Sequence, residues 1–330
     1  MGCDGNYLDP GFAFGASQTT RRIAAAVACG VGAFAPSIAS AAASAGNAGI
    51  AWWAWPLALF AVSFLIGIVA VLAGVGGGVL FVPIVGGLFP FHLDFVRGAG
   101  LLLALSSALS SGPHLLRSGL ASLRLAMPLA LIGSISSIAG AFAGLALPTA
   151  IVQTSLGITV LAIALLIWRS KASDEPPVRL ADRLGEALGL SGVFHDQASR
   201  KDVDWRAHRT LSGVCAFALI GFVGGLFGLG AGWANVPALN LLMGIPLKLS
   251  IGTSDLAISI INTSAVWIYV NRGAILPLLV VPAVVGAMLG ARVGSRLLHV
   301  TRAIVIRRIV IVILAGAGVR SLLQGLGLWA

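Results

Sequence analysis

The sequence carries two related glycine-rich stretches, GVGGGVLFVP at residues 74–83 and GLGAGWANVP at residues 228–237. Each stretch opens a short apolar run of 12 residues, at 79–90 and at 233–244. A helix of that length rises about 18 Å, which falls short of the roughly 30 Å hydrocarbon core of a bilayer. The two stretches therefore predict two half-helices or tilted helices, each entered through a glycine turn.

The composition is that of a polytopic membrane protein. Of the 330 residues, 58% are hydrophobic and only 10% are charged, whereas soluble domains carry about 25% charged residues. A soluble enzyme, a disordered chain and a disulfide-stapled domain are thereby excluded, and the three cysteines are too scattered to bind a metal. The net charge of +10 comes from basic residues between apolar runs, which indicates membrane topology rather than a nucleic-acid surface. We expect no cofactor.

Long apolar runs set the domain organisation. Eight runs reach or approach the roughly 20 residues of a spanning helix. They lie at 52–74, 95–112, 121–146, 150–168, 210–229, 250–270, 274–297 and 309–327. They predict an N-terminal tail at 1–50, a first transmembrane repeat at 51–168, a charged linker at 169–209 and a second transmembrane repeat at 210–330. The tail contains a weaker run at 23–43, which is either a signal peptide or an additional helix.

The charged linker indicates the orientation of the chain. It holds eight of the 21 Lys and Arg residues and seven of the 11 Asp and Glu residues, with room for a short helix at 180–190. If the linker is cytoplasmic and every run crosses once, only Arg97, Arg272 and Arg320 lie on the opposite side. This asymmetry follows the positive-inside rule, so we expect an inner (plasma) membrane protein with a cytoplasmic linker. An odd number of crossings in each half gives the halves opposite orientations.

The two halves of the chain are related by an internal repeat. Residues 67–140 align without gaps with residues 221–294, at an offset of 154, with 17 identities in 74 positions. A repeated unit with an odd number of crossings predicts the inverted-repeat architecture that is characteristic of secondary transporters. The expected fold class is an all-α polytopic membrane protein with two inverted repeats. Each repeat has about five transmembrane segments, one of them short or broken.

The paired stretches also resemble a known family. GVGGGVLFVP and GLGAGWANVP, each followed by a Gly-led helix, look like the doubled signature of the sulfite exporter TauE/SafE family. The resemblance covers residues 55–327, and Gly252-Thr253-Ser254 fits the family's usual Gly-Thr-Ser, whereas the first half has Gly98-Ala99-Gly100. It implies a membrane permease that exports sulfite, an organosulfonate or a related small anion, without naming the anion.

The glycine turns are candidate sites for this anion. A helix that begins after a glycine turn leaves its first N–H groups without helical partners, and these groups suit a negative solute. Broken helices in a bilayer need protein or water around them, so two related breaks predict a central cavity. Glycines spaced four residues apart, such as Gly140 and Gly144, are instead predicted to serve helix packing. The candidate substrate-binding residues are Gly74, Gly76, Gly77, Gly78, Gly228, Gly230, Gly232, Asn235, Thr253 and Ser254.

Polar residues within the apolar runs are few. Asp255 is the only acidic residue from 210 to 330, so it is a candidate for coupling transport to protons or for pairing with a buried base. The alternative is a carboxylate near the interface that caps local N–H groups or pairs with Lys248 or Arg292. Arg97, at the start of a helix, is expected to snorkel to lipid head groups, with attraction of anions to the external mouth as the alternative. Asn262 and the serines at 106, 107, 110 and 111 could line the cavity, although hydroxyls also bond their own helix. Asn235 and Asn240 are better candidates than the serines.

The predicted function is a secondary transporter that exports a small anion by alternating access. The alternatives are an anion channel and a non-transporting membrane scaffold. A membrane-embedded enzyme is disfavoured because the sequence has no His-Glu-x-x-His, Gly-x-Ser-x-Gly or Walker motif. The expected partners are the anion and the lipid bilayer, and a homo-oligomer is left open.

Overall fold

The computed structural model describes residues 54–73, 76–88, 91–169, 182–196, 201–297 and 303–326. The helices within them are α1 (Ala54–Ala73), α2 (Gly77–Leu88), α3 (Leu93–Arg117), α4 (Leu123–Ala146), α5 (Thr149–Arg169), α6 (Arg183–Ala187), α7 (Thr210–Phe227), α8 (Gly232–Pro237), α9 (Leu247–Asn271), α10 (Pro277–Leu297) and α11 (Ala303–Gly325). A π-helical segment, Ala238–Leu242, continues α8, and the strands β1 (Ser191–Asp196) and β2 (Lys201–Arg206) lie between α6 and α7. The N-terminal tail lies outside the described residues, so its nature stays a prediction.

The described part of the chain contains seven helices that are long and apolar enough to span a membrane. They are α1, α3, α4, α5, α7, α9 and α10. Seven of the eight predicted runs are confirmed in this way, and the chain is a multi-pass membrane protein. The eighth run falls in α11, whose apolar part is the shorter stretch Ile311–Gly325.

The two short apolar runs form different structures. α2 is one helix of 12 residues that continues through Pro83. The second run is also a short helical segment, but its hydrogen-bonding pattern changes, because α8 has six residues and continues after Pro237 as five residues of π-helix. Within this segment, Asn240 donates its side-chain N–H to the Ile245 carbonyl, 2.8 Å away and beyond the end of the helix.

The long helices pack mainly against helices of the other half. α1 packs on α10 and α4 packs on α7, and both pairs run parallel. In the first pair, successive glycines of α10 lie against successive carbonyls of α1, namely Gly286 on Phe60, Gly290 on Phe64 and Gly294 on Ile68. In the second pair, Gly140 and Gly144 lie on the carbonyls of Phe222 and Leu226. These contacts confirm the predicted packing role of glycines spaced four residues apart.

Two further helix pairs run antiparallel, α3 with α9 and α5 with α11. In the second pair, Gly157 contacts Leu322, and Gly318 contacts Leu161. The α3–α9 pair lies at the centre of the molecule, since α3 also packs on α2 and α10, and α9 also packs on α4 and α8. The residues that line this central pair are therefore enclosed by both halves of the chain.

The charged linker contains a small folded unit, which the sequence analysis did not predict beyond a short helix. That helix is α6, with five residues. β1 and β2 form an antiparallel hairpin that adds a small sheet to the expected all-α fold. Leu190 and Trp205 belong to the same buried hydrophobic cluster as Leu115 of α3 and Leu249 of α9, so the hydrophobic core extends from the membrane helices into the linker.

Candidate functional site

The two glycine turns meet in the interior, beside α9. Gly76, just before α2, has a φ of +79°, and a Cβ there would lie 3.3 Å from Ile258 Cδ1 and 3.6 Å from Gly232 Cα. Gly78 also lies against the second turn, since an added Cβ would lie 2.5 Å from the Leu229 carbonyl oxygen. The structure therefore brings the two predicted turns into one place, where only hydrogen fits as a side chain.

The second turn passes between α3 and α9. Gly228, with a φ of +69°, ends α7, and its Cβ would lie 2.5 Å from the Cβ of Arg97. Gly230, with a φ of +76°, has Ala104 of α3 on one side and the Asn262 side chain of α9 on the other. Glycine is needed at both positions because it permits the left-handed backbone and the close approach.

Two buried asparagines lie beside the second turn. Asn262 is 1% exposed, and its Oδ1 accepts a hydrogen bond from the Ala231 amide at 3.2 Å. The Ala231 amide, at the second glycine turn, is therefore hydrogen-bonded to a side chain and is not free to bind an anion. Within the described residues, Nδ2 of Asn262 and both polar atoms of Asn235, which is 0% exposed, have no hydrogen-bond partner. Unpaired amide groups in a protein interior are rare and costly, so a polar ligand or water would stabilise this place.

Residues spaced seven apart on α3 and α9 face one another across the contact between the two helices, and five of these six residues are polar. Seven residues correspond to about two helical turns, or roughly 10 Å of rise. The antiparallel register sets Ser111 against Asp255, Ala104 level with Asn262, and Arg97 against Tyr269. We name these the carboxylate layer (Asp255 and Ser111), the amide layer (Asn262 with Gly230 and Ala104) and the guanidinium layer (Arg97 and Tyr269). The glycine turns span the middle of this contact, since Gly76 lies by Ile258, Gly230 lies at the amide layer and Gly228 lies against Arg97 of the guanidinium layer.

The carboxylate layer occupies one end of the α3–α9 contact. Asp255 is 6% exposed, and the Ser111 hydroxyl donates a hydrogen bond to its Oδ2. The sequence analysis left an ion pair with Lys248 or Arg292 open, whereas the structure gives the carboxylate a neutral partner on the facing helix. Because a buried carboxylate is costly in a membrane, one that lacks a cationic partner can be expected to change its protonation state.

The guanidinium layer occupies the opposite end. Arg97 is 1% exposed, so the expectation that it snorkels to head groups is wrong. Its Nη1 donates to Asp94 Oδ1 at 2.8 Å and to the Gly144 carbonyl at 3.2 Å, and its Nη2 donates to the Leu226 carbonyl. Its Cζ lies 5.5 Å from the centre of the Tyr269 ring. Gly144 and Leu226 belong to the last turns of α4 and α7, so the guanidinium group caps the negative ends of two parallel helices.

Thr253 and Ser254 lie away from the glycine turns. Thr253 is nine residues before Asn262, or about 13 Å along α9. Its Oγ1 accepts a hydrogen bond from the Ser122 amide at 3.1 Å, which stabilises the entry to α4. Ser254 is buried next to it. Both residues therefore belong to the carboxylate end of the site.

The other predicted residues have packing or loop contacts. Gly77 packs against Leu103 of α3, and Gly74 lies outside the described residues. Asn240 donates its side-chain N–H to the Ile245 carbonyl at 2.8 Å. Of the two asparagines expected beside the substrate, Asn235 and Asn240, it is Asn235 that has unpaired polar atoms within the described residues.

The layers themselves were not found from the sequence. The sequence predicts that Asn262 and Ser111 line a cavity, but it does not identify the residues that face them. The signal that could have found the layers is the seven-residue spacing of Arg97, Ala104 and Ser111 in one run and of Asp255, Asn262 and Tyr269 in the other. It becomes visible only when the two runs are aligned antiparallel.

Comparisons with known proteins agree with a membrane transport role. A family model described as Sulfite exporter TauE/SafE matches residues 59–321, a range that includes both glycine turns and all three layers. The chain is similar to the probable membrane transporter protein YunE of Bacillus subtilis (strain 168). The two are 26% identical over 267 residues, which cover 78% of this chain and 94% of the relative. No solved structure matches the chain.

Proposed function

This chain belongs to the sulfite exporter TauE/SafE family, and we propose that it is a secondary transporter that exports a small oxyanion such as sulfite or an organosulfonate. The observation that carries the proposal is the meeting of the two glycine turns beside α3 and α9, with a buried carboxylate at one end of that helix pair and a buried guanidinium group at the other. An anion held there would lie between two charges of opposite sign, with both halves of the protein around it.

We infer that the two halves are inverted repeats. The sequence offset of 154 carries the first residues of α3, α4 and α5 onto the first residues of α9, α10 and α11. Close contacts exchange in the same way, since Gly98 lies on the Ala274 carbonyl and Gly252 lies on the Leu120 carbonyl. The equivalent helices α3 and α9 run antiparallel, which supports a two-fold axis in the plane of the membrane. Rocking one half against the other would open the site to each side in turn.

The proposed substrate site comprises the two glycine turns and Asn235. The first turn leads into α2, and the 12 residues of that helix direct the positive end of their dipole towards the turn. The second turn contributes Gly230, which lies beside the Asn262 side chain. Thr253 and Ser254 would contact the substrate at the carboxylate end, on its way in or out. The glycines of the proposed site are Gly74, Gly76, Gly77, Gly78, Gly228, Gly230 and Gly232.

Asp255 is the proposed coupling residue. Its partner is the neutral Ser111 hydroxyl, so the carboxylate can gain or lose a proton without breaking an ion pair. Protonation at one opening and release at the other would link export to the proton gradient. The topology that we propose places the linker on the cytoplasmic side of the inner (plasma) membrane, because basic residues concentrate there.

Flux measurements on purified protein in proteoliposomes test the proposed function. We expect uptake of sulfite or ethanesulfonate that saturates with concentration and follows an imposed pH gradient. An anion channel would give flux that does not saturate or couple, and a scaffold would give none. If no such anion crosses under any gradient, the proposal is wrong.

A pair of glycine variants tests the place of the site. Gly76→Ala adds backbone strain at a φ of +79° and a Cβ between Ile258 and Gly232, so we expect flux to fall about tenfold or more. Gly119→Ala is the matched control, because Gly119 has a φ of +71° but nothing within 4 Å of an added Cβ. Equal flux in the two variants would exclude the first glycine turn from the transport path.

A further inference from the structure

We propose that Asn235 and Asn262, which we call the amide pair, bind an oxyanion that also carries a hydrogen-bond donor of its own. This inference rests on the proposed function and specifies the class of anion at the same site. The donor would be either an O–H group of a monoprotonated oxyanion or an N–H group attached to a sulfonate.

The amide pair lies along the contact between α8 and α9. Asn262 of α9 accepts a hydrogen bond from the Ala231 amide, which immediately precedes α8. Asn235 follows Ala231 by four residues, about one helical turn, so the two residues share one side of the short helix. Asn235 therefore extends the surface through which Ala231 meets α9.

The amide pair offers two unpaired donors and one unpaired acceptor. The donors are the two Nδ2 groups, and the acceptor is Oδ1 of Asn235, because Oδ1 of Asn262 is already bonded. The count does not depend on how the Asn235 amide is turned, since both of its polar atoms lack a partner. Three such groups in the interior are a cost that a bound polar species would offset.

A fully deprotonated oxyanion does not match this set of groups. Its oxygens would accept from both Nδ2 groups, but they would be repelled by Oδ1 of Asn235, which can only accept a hydrogen bond. A ligand with one O–H or N–H group besides its acceptor oxygens satisfies all three. Hydrogensulfite has this chemistry through its O–H group, and 2-aminoethanesulfonate has it through its ammonium group.

The first half of the chain has no equivalent of the amide pair. The offset of 154 relates Asn235 to Phe81 and Asn262 to Ala108, and both of these residues are apolar and buried. The repeat therefore supplies two glycine turns but only one set of side-chain amides. We expect one such anion to bind per chain, oriented by the second half.

Matched ligands test the donor requirement. Thermal unfolding of the purified protein and flux into proteoliposomes are measured with ethanesulfonate and 2-aminoethanesulfonate, which differ in the ammonium group. Sulfite is added below and above its second pKa, with ethanesulfonate as the control for effects of pH on the protein. We expect the donor-bearing forms to bind at least about tenfold more tightly, because a site built for a hydrogen bond rejects ligands that lack it. Equal binding of all forms overturns the proposal, and preference for one donor-bearing form identifies the source of the donor.

Asn235→Leu separates a ligand-binding role from a structural one. If the amide is unpaired in the empty protein, the variant should raise Tm by about 2–4 °C and abolish the shift in Tm caused by the ligand. A lower Tm would show that the amide is paired within the fold and would overturn the proposal. Asn271→Leu is the control, because Asn271 lies at the end of α9, is exposed and donates its side-chain N–H to the Trp267 carbonyl at 2.8 Å.

The outcomes distinguish this inference from the proposed function. Saturable flux of ethanesulfonate that equals that of 2-aminoethanesulfonate and survives Asn235→Leu would overturn the amide pair and leave anion export standing. Absence of flux for every anion would overturn anion export. Absence of any ligand-induced change in Tm would then overturn the amide pair as well.

Discussion

The guanidinium layer and the carboxylate layer lie at opposite ends of one helix pair and hold their charges in different ways. The offset of 154 relates Arg97 to Ile251 and Asp255 to Leu101, so each half keeps a charge where the other has an aliphatic residue. Arg97 joins a carboxylate, two helix carbonyls and an aromatic ring, whereas Asp255 accepts a hydrogen bond from one hydroxyl. The difference teaches that a buried charge with many partners joins distant helices, whereas the single neutral partner of Asp255 is the reason why we propose it as the coupling residue.

Arg97→Ile tests the first half of this comparison and should have the largest effect. The variant introduces the residue found at the equivalent position of the second half. It removes the guanidinium donor from Asp94 and the Gly144 carbonyl, and it leaves the Leu226 carbonyl with only the Tyr269 hydroxyl, 3.5 Å away. Removing one partner of a buried charged network costs about 3–5 kcal/mol. Reversible unfolding in mixed detergent and denaturing micelles measures the free energy.

Arg272→Leu is the matched control for Arg97→Ile. Arg272 follows the same end of α9 and lies 5.7 Å from the centre of the Phe142 ring, but it is exposed. We expect a loss of less than about 1 kcal/mol, as is typical of exposed charges. If both variants lose the same small amount, Arg97 is not a structural junction.

Gly144→Ala should have the next largest effect. An added Cβ would overlap Arg97 Nη2 and the Leu226 carbonyl oxygen, so the guanidinium group must move away from its acceptors. Overpacking of this kind costs about 1–3 kcal/mol. Gly316→Ala in α11 is the control, because an added Cβ there meets nothing within 4 Å, and a small gain from higher helix propensity is expected. Equal stability of the two variants would show that α4 and α7 tolerate a looser contact with Arg97.

The membrane helices could be predicted from the sequence because length and hydropathy decide them locally. The glycine turns could also be located, since glycine clusters before short apolar runs have few other uses. The layers could not be predicted, because the role of Ser111 depends on its hydrogen bond to Asp255, which lies 144 residues away in the sequence. Arg97 was misassigned for the same reason, as its acceptors come from the ends of two distant helices.

The π-helical segment after α8 and the fold of the linker could not be predicted for a different reason. The stretch after Pro237 has the same apolar character as the stretch after Pro83, so hydropathy does not distinguish a π-helical segment from a continuous α-helix. The linker hairpin is rich in charge and has little apolar alternation. Its stability depends on Leu190 and Trp205, which pack on membrane helices that the linker sequence does not reveal.

The folded linker lies at the carboxylate end of the α3–α9 contact, and the hydrogen bonds of Asp182 that stabilise it should weaken in acid. Burial acts to raise the pKa of Asp182, but hydrogen bonds from the Thr210 hydroxyl and amide and from the Gly185 amide outweigh it, so the pKa lies below its ordinary value of 3.8. Such a group stabilises the fold above its unfolded pKa, and that stability is lost as the pH falls through the folded pKa. We expect faster hydrogen exchange at 183–210 below pH 4, with α3 and α9 unchanged. Thr210→Val should reduce this acid dependence, and exchange that is uniform along the chain would contradict it.

Asp255→Leu should have the smallest effect on stability and thereby sharpens the comparison most. The variant introduces the residue found at the equivalent position of the first half, removes a desolvated carboxylate and loses one hydrogen bond from Ser111. These two effects offset each other, so the free energy of unfolding should change by less than about 1 kcal/mol. Dependence of flux on the pH gradient should nevertheless disappear, because no other carboxylate in the described part of α3 or α9 is buried. If Asp255→Leu instead destabilises the protein as much as Arg97→Ile does, both charged residues have a structural role, and Asp255 does not change its protonation state during transport.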